Sequence, residues 1–139
     1  MVGPVDQIRV CHENGRVRRR HLQTPIEQIA FATAKMAFVS GPRQVGKTTL
    51  GRALMEGRVS GAYANWDDVN TRRAWVKDPK LLVPAAAGRS GRPLLVLDEI
   101  HKARLWKRNL KGLFDTLESP LDILVTGSAR LNVYKKGSD

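Results

Sequence analysis

Four short apolar runs set the frame of this chain: Met36-Ala37-Phe38-Val39, Ala62-Tyr63-Ala64-Asn65, Leu94-Leu95-Val96-Leu97 and Ile123-Leu124-Val125-Thr126. Runs this short and this apolar suit strands, and those without polar alternation suit strands buried on both faces. Between them the period lengthens. Leu50, Ala53 and Leu54 lie at helical spacing over Thr49 to Glu56, ahead of Gly57. Trp66-Asp67-Asp68 leads into a helix through Trp75 and Val76 that ends at Asp78-Pro79, with one of the two aspartates expected to cap it. Lys80 to Pro93 reads as a short helix giving way to a loop at Gly88, Gly91 and Pro93. A longer helix is expected from about Ile100 to Leu117. It sets Leu105, Leu110, Leu113, Phe114 and Leu117 on one side and Lys102, Lys107, Arg108 and Lys111 largely on another, with Trp106 packing. Upstream, Thr24 and Glu27 form a capping box with Pro25 at the first helical position, followed by Ile26, Ile29 and Ala30. Residues 1–23, with Arg16, Arg18, Arg19, Arg20 and His21, read as a basic arm ahead of a domain over 24–139.

The first apolar run and the helix after it are joined by Gly41-Pro42-Arg43-Gln44-Val45-Gly46-Lys47-Thr48, a full match to the phosphate-binding pattern G-x-x-x-x-G-K-[ST]. At ordinary residue frequencies a chain this long matches by chance well under about 1% of the time. A strand before and a helix after are the context the pattern requires. The glycines let backbone N–H groups from Gly41 to Thr49 converge on phosphate oxygens, Lys47 brings a cation to the β- and γ-phosphates, and the Thr48 hydroxyl can ligate Mg²⁺. The third apolar run ends in Asp98-Glu99. A strand that ends in two carboxylates has the form of a Walker B element, in which Asp98 holds Mg²⁺ and Glu99 orients and deprotonates the attacking water. The competing reading is an acidic pair that caps the next helix. At the end of the fourth run, Thr126 and Ser128 are candidates to face a γ-phosphate if that strand lies between the other two motif strands. An ordinary strand exit is the alternative.

Composition narrows the class without choosing a partner. The chain is long enough for one modest core, has no apolar stretch of membrane-spanning length and no apolar signal-peptide core, and carries a single cysteine, Cys11. A cytoplasmic location and no membrane contact are expected. The net charge of +11 attracts polyanions in general, and ATP, nucleic acid and an acidic protein partner all fit it. No aromatic residue is interleaved with the arginines of 16–20 for base stacking, and the basic side of the 100–117 helix reads equally as a solvated face.

Taken in order, Gly41-Pro42-Arg43-Gln44-Val45-Gly46-Lys47-Thr48-Thr49-Leu50, Asn65-Trp66-Asp67, Leu97-Asp98-Glu99-Ile100-His101-Lys102 and Thr126-Gly127-Ser128-Ala129-Arg130-Leu131 resemble a family of prokaryotic AAA-type P-loop ATPases. In that family a winged-helix-like segment and a nuclease-like domain usually follow the ATPase domain. The resemblance covers roughly Lys35 to Asp139. It implies an α/β three-layer P-loop NTPase core with a mostly parallel sheet in the order 5-1-4-3-2. It also implies ATP and Mg²⁺ as ligands, Lys47, Thr48, Asp98 and Glu99 in the roles argued above, and a sensor at the Thr126–Ser128 turn. No counterpart of the family's fifth strand, helical lid or second sensor is expected in this sequence. The expectation is therefore an incomplete ATPase domain, slow or inactive alone, with the edge of the P-loop strand exposed and open to self-association. Arg130 is a weak candidate for a charge-stabilising arginine, which such enzymes usually take from a neighbouring subunit. Two other readings share these features: a small-molecule P-loop kinase, which normally needs a lid, and a basic nucleic-acid-binding module.

Overall fold

The computed structural model describes residues 6–9, 19–41, 46–58, 60–85 and 91–128. Pro42, Arg43, Gln44 and Val45 of the phosphate-binding pattern lie outside the described residues, as do Cys11, Arg16, Arg18, Gly88 and Arg130. Five strands, β1 (Asp6–Arg9), β2 (Ala37–Ser40), β3 (Gly61–Asn65), β4 (Leu94–Asp98) and β5 (Asp122–Gly127), form one sheet in the order β1-β2-β5-β4-β3. All four pairings are parallel. The helices are α1 (Arg19–Pro25), α2 (Lys47–Glu56), α3 (Val69–Lys77) and α4 (Trp106–Asp115).

Side chains alternate between the two faces of a strand, and in this sheet both faces are covered. Ala37, Val39, Leu94, Val96 and Leu124 pack with Ile26, Ala30 and Phe31 after α1 and with Leu50 and Leu54 of α2. Phe38, Leu95, Leu97, Ile123 and Val125 pack on the other face with Trp75 of α3 and Leu110 and Leu113 of α4. Ten residues of α2 are too few to hold a helix in water alone. Burying Leu50 and Leu54, at about 1.5–3 kcal/mol each, outweighs that deficit. Gly51 lets α2 sit close, since a Cβ there would meet Val96 Cγ1 at 3.0 Å. The result is the α/β three-layer arrangement expected from the sequence.

The N-terminal expectations need correction. Residues 6–9 of the basic arm form β1, which runs along β2 with Asp6 opposite Ala37 and Arg9 opposite Ser40. The edge of the P-loop strand, expected to be exposed, is therefore covered by the chain's own N-terminal segment. An unpaired edge leaves a row of N–H and C=O groups unsatisfied, and β1 supplies the partners. Nor does a helix start at Thr24. It starts at Arg19, so Pro25 lies inside it, and no capping box forms. Proline lacks the N–H that an α-turn would use. The chain widens there into a π-turn over Ile26–Ala30 and a 3-10 turn over Phe31–Thr33.

Downstream, the Asp68 side chain caps α3, accepting from Asn70 N–H at 2.9 Å. The helix expected over 100–117 is broken. A 3-10 turn at Ile100–Lys102 comes first, and Glu99 (φ 59°) and Leu105 (φ 55°) adopt left-handed backbone that an α-helix cannot continue. Trp106 packs as expected, its ring 6.3 Å from that of Phe38.

A charged clamp closes the sheet at the end opposite the strand carboxyl termini. Asp122, 2% exposed, holds Arg58 at 2.5 Å and Arg92 at 3.3 Å, and Arg92 donates to the carbonyl of Phe31. Removing the carboxylate leaves two cations without it, a loss softened because both guanidinium groups reach solvent. Asp122→Ala is expected to lower unfolding stability by about 2 kcal/mol in a urea titration. A chain lacking residues 1–10 is expected to lose about 2 kcal/mol with the β1 ladder and to scatter light increasingly with concentration as the β2 edge opens.

Candidate nucleotide site

The alternation that builds the core also builds the site. Residues 94, 96 and 98 of β4 face α2, so the side chain of Asp98 continues the row of Leu94 and Val96 toward the start of that helix. Thr126 stands opposite Asp98 in the β4–β5 register, and its buried hydroxyl donates to Asp98 Oδ1 at 2.9 Å. From α2, Thr48 Oγ1 lies 3.3 Å from Asp98 Oδ2. Tyr63, two residues before the end of β3 and on the same face, donates its phenol to Asp98 Oδ2 and lies 3.4 Å from Thr48 Oγ1. The carboxylate is 5% exposed and is met by hydroxyls from α2, β3 and β5. Burial, with donation to Asp98, pushes the Tyr63 phenol up to about 12. Arg52 stands 5.7 Å from the centre of its ring.

Gly46, just before α2, has φ +86°, a left-handed backbone that a residue with a Cβ adopts only under strain. Lys47, 9% exposed, folds back across the loop to donate to the carbonyl of Gly41, the residue after β2. The loop's two ends are thus held close, and Gly41 N–H is tied to Gly127 O of β5 at 3.2 Å. Thr49 lies one residue further along α2, half-buried. Hydroxyl and carboxylate are the hard oxygen donors that a small divalent cation takes, so Thr48 and Asp98 fit Mg²⁺.

Glu99 is turned away from this cluster. Its N–H bonds to Thr126 O at 2.8 Å, and its left-handed backbone directs the side chain toward the 3-10 turn. There Glu99 Oε2 lies 3.4 Å from His101 Nε2 and 3.8 Å from Lys102 Nζ. Lys102 also pairs with Asp67 at 2.9 Å. His101 Nε2 is 3.2 Å from Ser128 Oγ, while His101 Nδ1 is buried without a partner among the described residues. Lys47, Thr48, Asp98, Glu99 and Ser128 therefore gather at the carboxyl edge of β2, β4 and β5. Of the two sensor candidates they are not alike: Thr126 is wholly buried and occupied with Asp98, and Ser128 is the more accessible.

Tyr63 and His101 are the site residues that motif reading passed over. Tyr63 was legible in principle, being the one aromatic side chain on the α2-facing row of β3, which it shares with Asn65. His101 lies within the Leu97–Lys102 motif but was given no role there, since a histidine in a helix looks the same as one turned inward by a 3-10 turn.

Burial lowers the pKa of His101 below its ordinary 6.5, with Glu99 opposing and Lys102 assisting. Above 6.5 the ring is neutral in both folded and unfolded chains. Below it the unfolded chain takes up the proton first, so stability is lost as pH falls toward the lowered folded value. Urea midpoints measured from about pH 8 to about pH 5 are expected to decline, and His101→Gln is expected to flatten part of that decline.

No helix among the described residues is long and apolar enough to cross a membrane. Searches among curated proteins and among solved structures returned no match. A family model described as an AAA domain matches residues 33–139, which takes in β2, α2 and everything C-terminal to them. That span includes the lysine and threonine of the phosphate-binding pattern and the carboxylate that the threonine approaches, and the chain accordingly belongs to the AAA domain family as a nucleotide-binding P-loop domain.

Proposed function

We propose that this chain binds ATP with Mg²⁺ and hydrolyses it to ADP and phosphate. The observation that carries the reading is the 3.3 Å approach of Thr48 Oγ1 to Asp98 Oδ2, which joins two motifs fifty residues apart into one oxygen donor set. Gly41, Pro42, Arg43, Gln44, Val45 and Gly46 with Thr49 give the backbone cradle for the phosphates, and Lys47 exchanges the Gly41 carbonyl for a phosphate oxygen. Mg²⁺, when bound, neutralises charge on the β- and γ-phosphate oxygens. Thr126 and Tyr63 fix the direction of the Asp98 carboxylate by donating to it. Glu99 orients a water and takes its proton as that water attacks the γ-phosphorus and the bond to the ADP oxygen breaks. Ser128 donates to the terminal phosphate.

The resemblance to prokaryotic AAA-type ATPases supports a coupling role, in which the nucleotide state is passed to a partner. The +11 charge favours a nucleic acid or an acidic protein in that role, and a cytoplasmic location fits the single cysteine.

Thermal unfolding with Mg²⁺-ATP, run on the wild type and Lys47→Ala, tests the binding step. Ligand at about 100 times its dissociation constant stabilises by roughly 2.7 kcal/mol, so the wild type is expected to shift by several degrees and the variant not at all. Glu99→Gln is expected to keep the shift while losing phosphate release by about a hundredfold. Equal turnover in that variant would remove Glu99 as the base, and phosphate appearing on an added acceptor faster than free phosphate would point to a kinase instead.

A further inference from the structure

His101 stands between the two groups that hydrolysis would need to coordinate. Its side chain is 9% exposed, with Nε2 3.4 Å from Glu99 Oε2 and 3.2 Å from Ser128 Oγ. Nδ1 is buried with no partner among the described residues. A neutral imidazole has one N–H. Were it on Nδ1, a buried donor would go unsatisfied, which costs more than a bare lone pair there, so the proton belongs on Nε2. One N–H then faces two acceptors, the Glu99 carboxylate and the Ser128 hydroxyl oxygen. The surrounding backbone keeps them in reach: the 3-10 turn Ile100–Lys102 swings the ring back toward β5, and Glu99 N–H is tied to Thr126 O, two residues before Ser128.

We propose that His101 is a positioning residue that couples Ser128 to Glu99, so that a nucleoside triphosphate at the site frees the base. This rests on the ATPase reading above. With no terminal phosphate near Ser128, the charged carboxylate is the stronger acceptor, and the Nε2–H holds Glu99 aside. A hydroxyl that donates to a phosphate oxygen becomes a better acceptor itself, because hydrogen bonds in a chain polarise one another. Ser128 then draws the Nε2–H, and Glu99 is released to accept a proton from water. A diphosphate lacks the group that Ser128 would meet and leaves Glu99 held.

The test is ¹⁵N–¹H NMR of the imidazole rings on the full chain, with the His101 signals assigned among three histidines by His101→Gln. Mg²⁺ with the β,γ-imido analogue of ATP is expected to shift the His101 Nε2 resonance, Mg²⁺-ADP is not, and Ser128→Ala abolishes the response. In turnover, Ser128→Ala is expected to lower kcat about tenfold with KM within about twofold, because Glu99 stays held, and adding His101→Ala to that variant is expected to recover part of the loss, because the Nε2–H that holds Glu99 is gone. Adding His101→Gln instead, which can keep an N–H near the Nε2 position, is expected to recover less of the rate. If the analogue gives a Lys47-dependent thermal shift while the His101 resonance does not move, or if His101→Ala deepens the Ser128→Ala loss, the coupling is overturned and nucleotide binding stands. If the analogue produces no thermal shift, the ATPase reading fails and the coupling fails with it.

Discussion

A strand buried on both faces has room for a carboxylate only where it leaves the sheet. In β4, Leu94 to Leu97 are fully buried, and Asp98 is the first position at which an ionisable side chain can find polar company. The company it finds comes from α2, β3 and β5. A carboxylate that is 5% exposed needs those hydroxyls, and so the start of α2 and the ends of β3 and β5 are brought to one point. The closing turn of the phosphate-binding loop is placed by the same requirement.

The two ends of the sheet use buried charge differently. At the amino end Asp122 meets two arginines, and the clamp ties the entries of β4 and β5 to the stretch after α2 and to Phe31. At the carboxyl end Asp98 meets neutral donors, which orient it without cancelling its charge. A carboxylate that is to hold a cation has to keep its charge and lone pairs available, and hydroxyl donors allow that where an arginine would compete. Lys47 reaches back from the start of α2 to the backbone carbonyl of Gly41.

Most of the site was legible because its residue types are dictated by chemistry at fixed spacing. Gly46 has to take φ +86°, Lys47 and Thr48 have to open a helix, and Asp98 has to end a strand. The apolar runs gave the strands for the same kind of reason, since residues buried on both faces leave no polar alternation. What escaped were contacts between segments. Tyr63 reaches Asp98 only because β3 lies beside β4, and His101 turns inward only because Glu99 and Leu105 break the helix that their neighbours' periodicity suggested.

By itself the sequence determined the α/β class, the strand-loop-helix of the phosphate site and the chemistry gathered there, because each depends on local periodicity or on a short motif. The tertiary structure alone decided what covers the edge of β2. Residues 6–9 carry no strong strand signal, and Asp6, Gln7 and Arg9 read as part of a polar arm. They become a strand because β2 presents a row of backbone groups that need partners, and a ladder of main-chain hydrogen bonds forms without regard to which side chains it carries. The same holds for His101, whose neighbours at Glu99 and Ser128 follow two different strands and meet only once β4 and β5 are side by side.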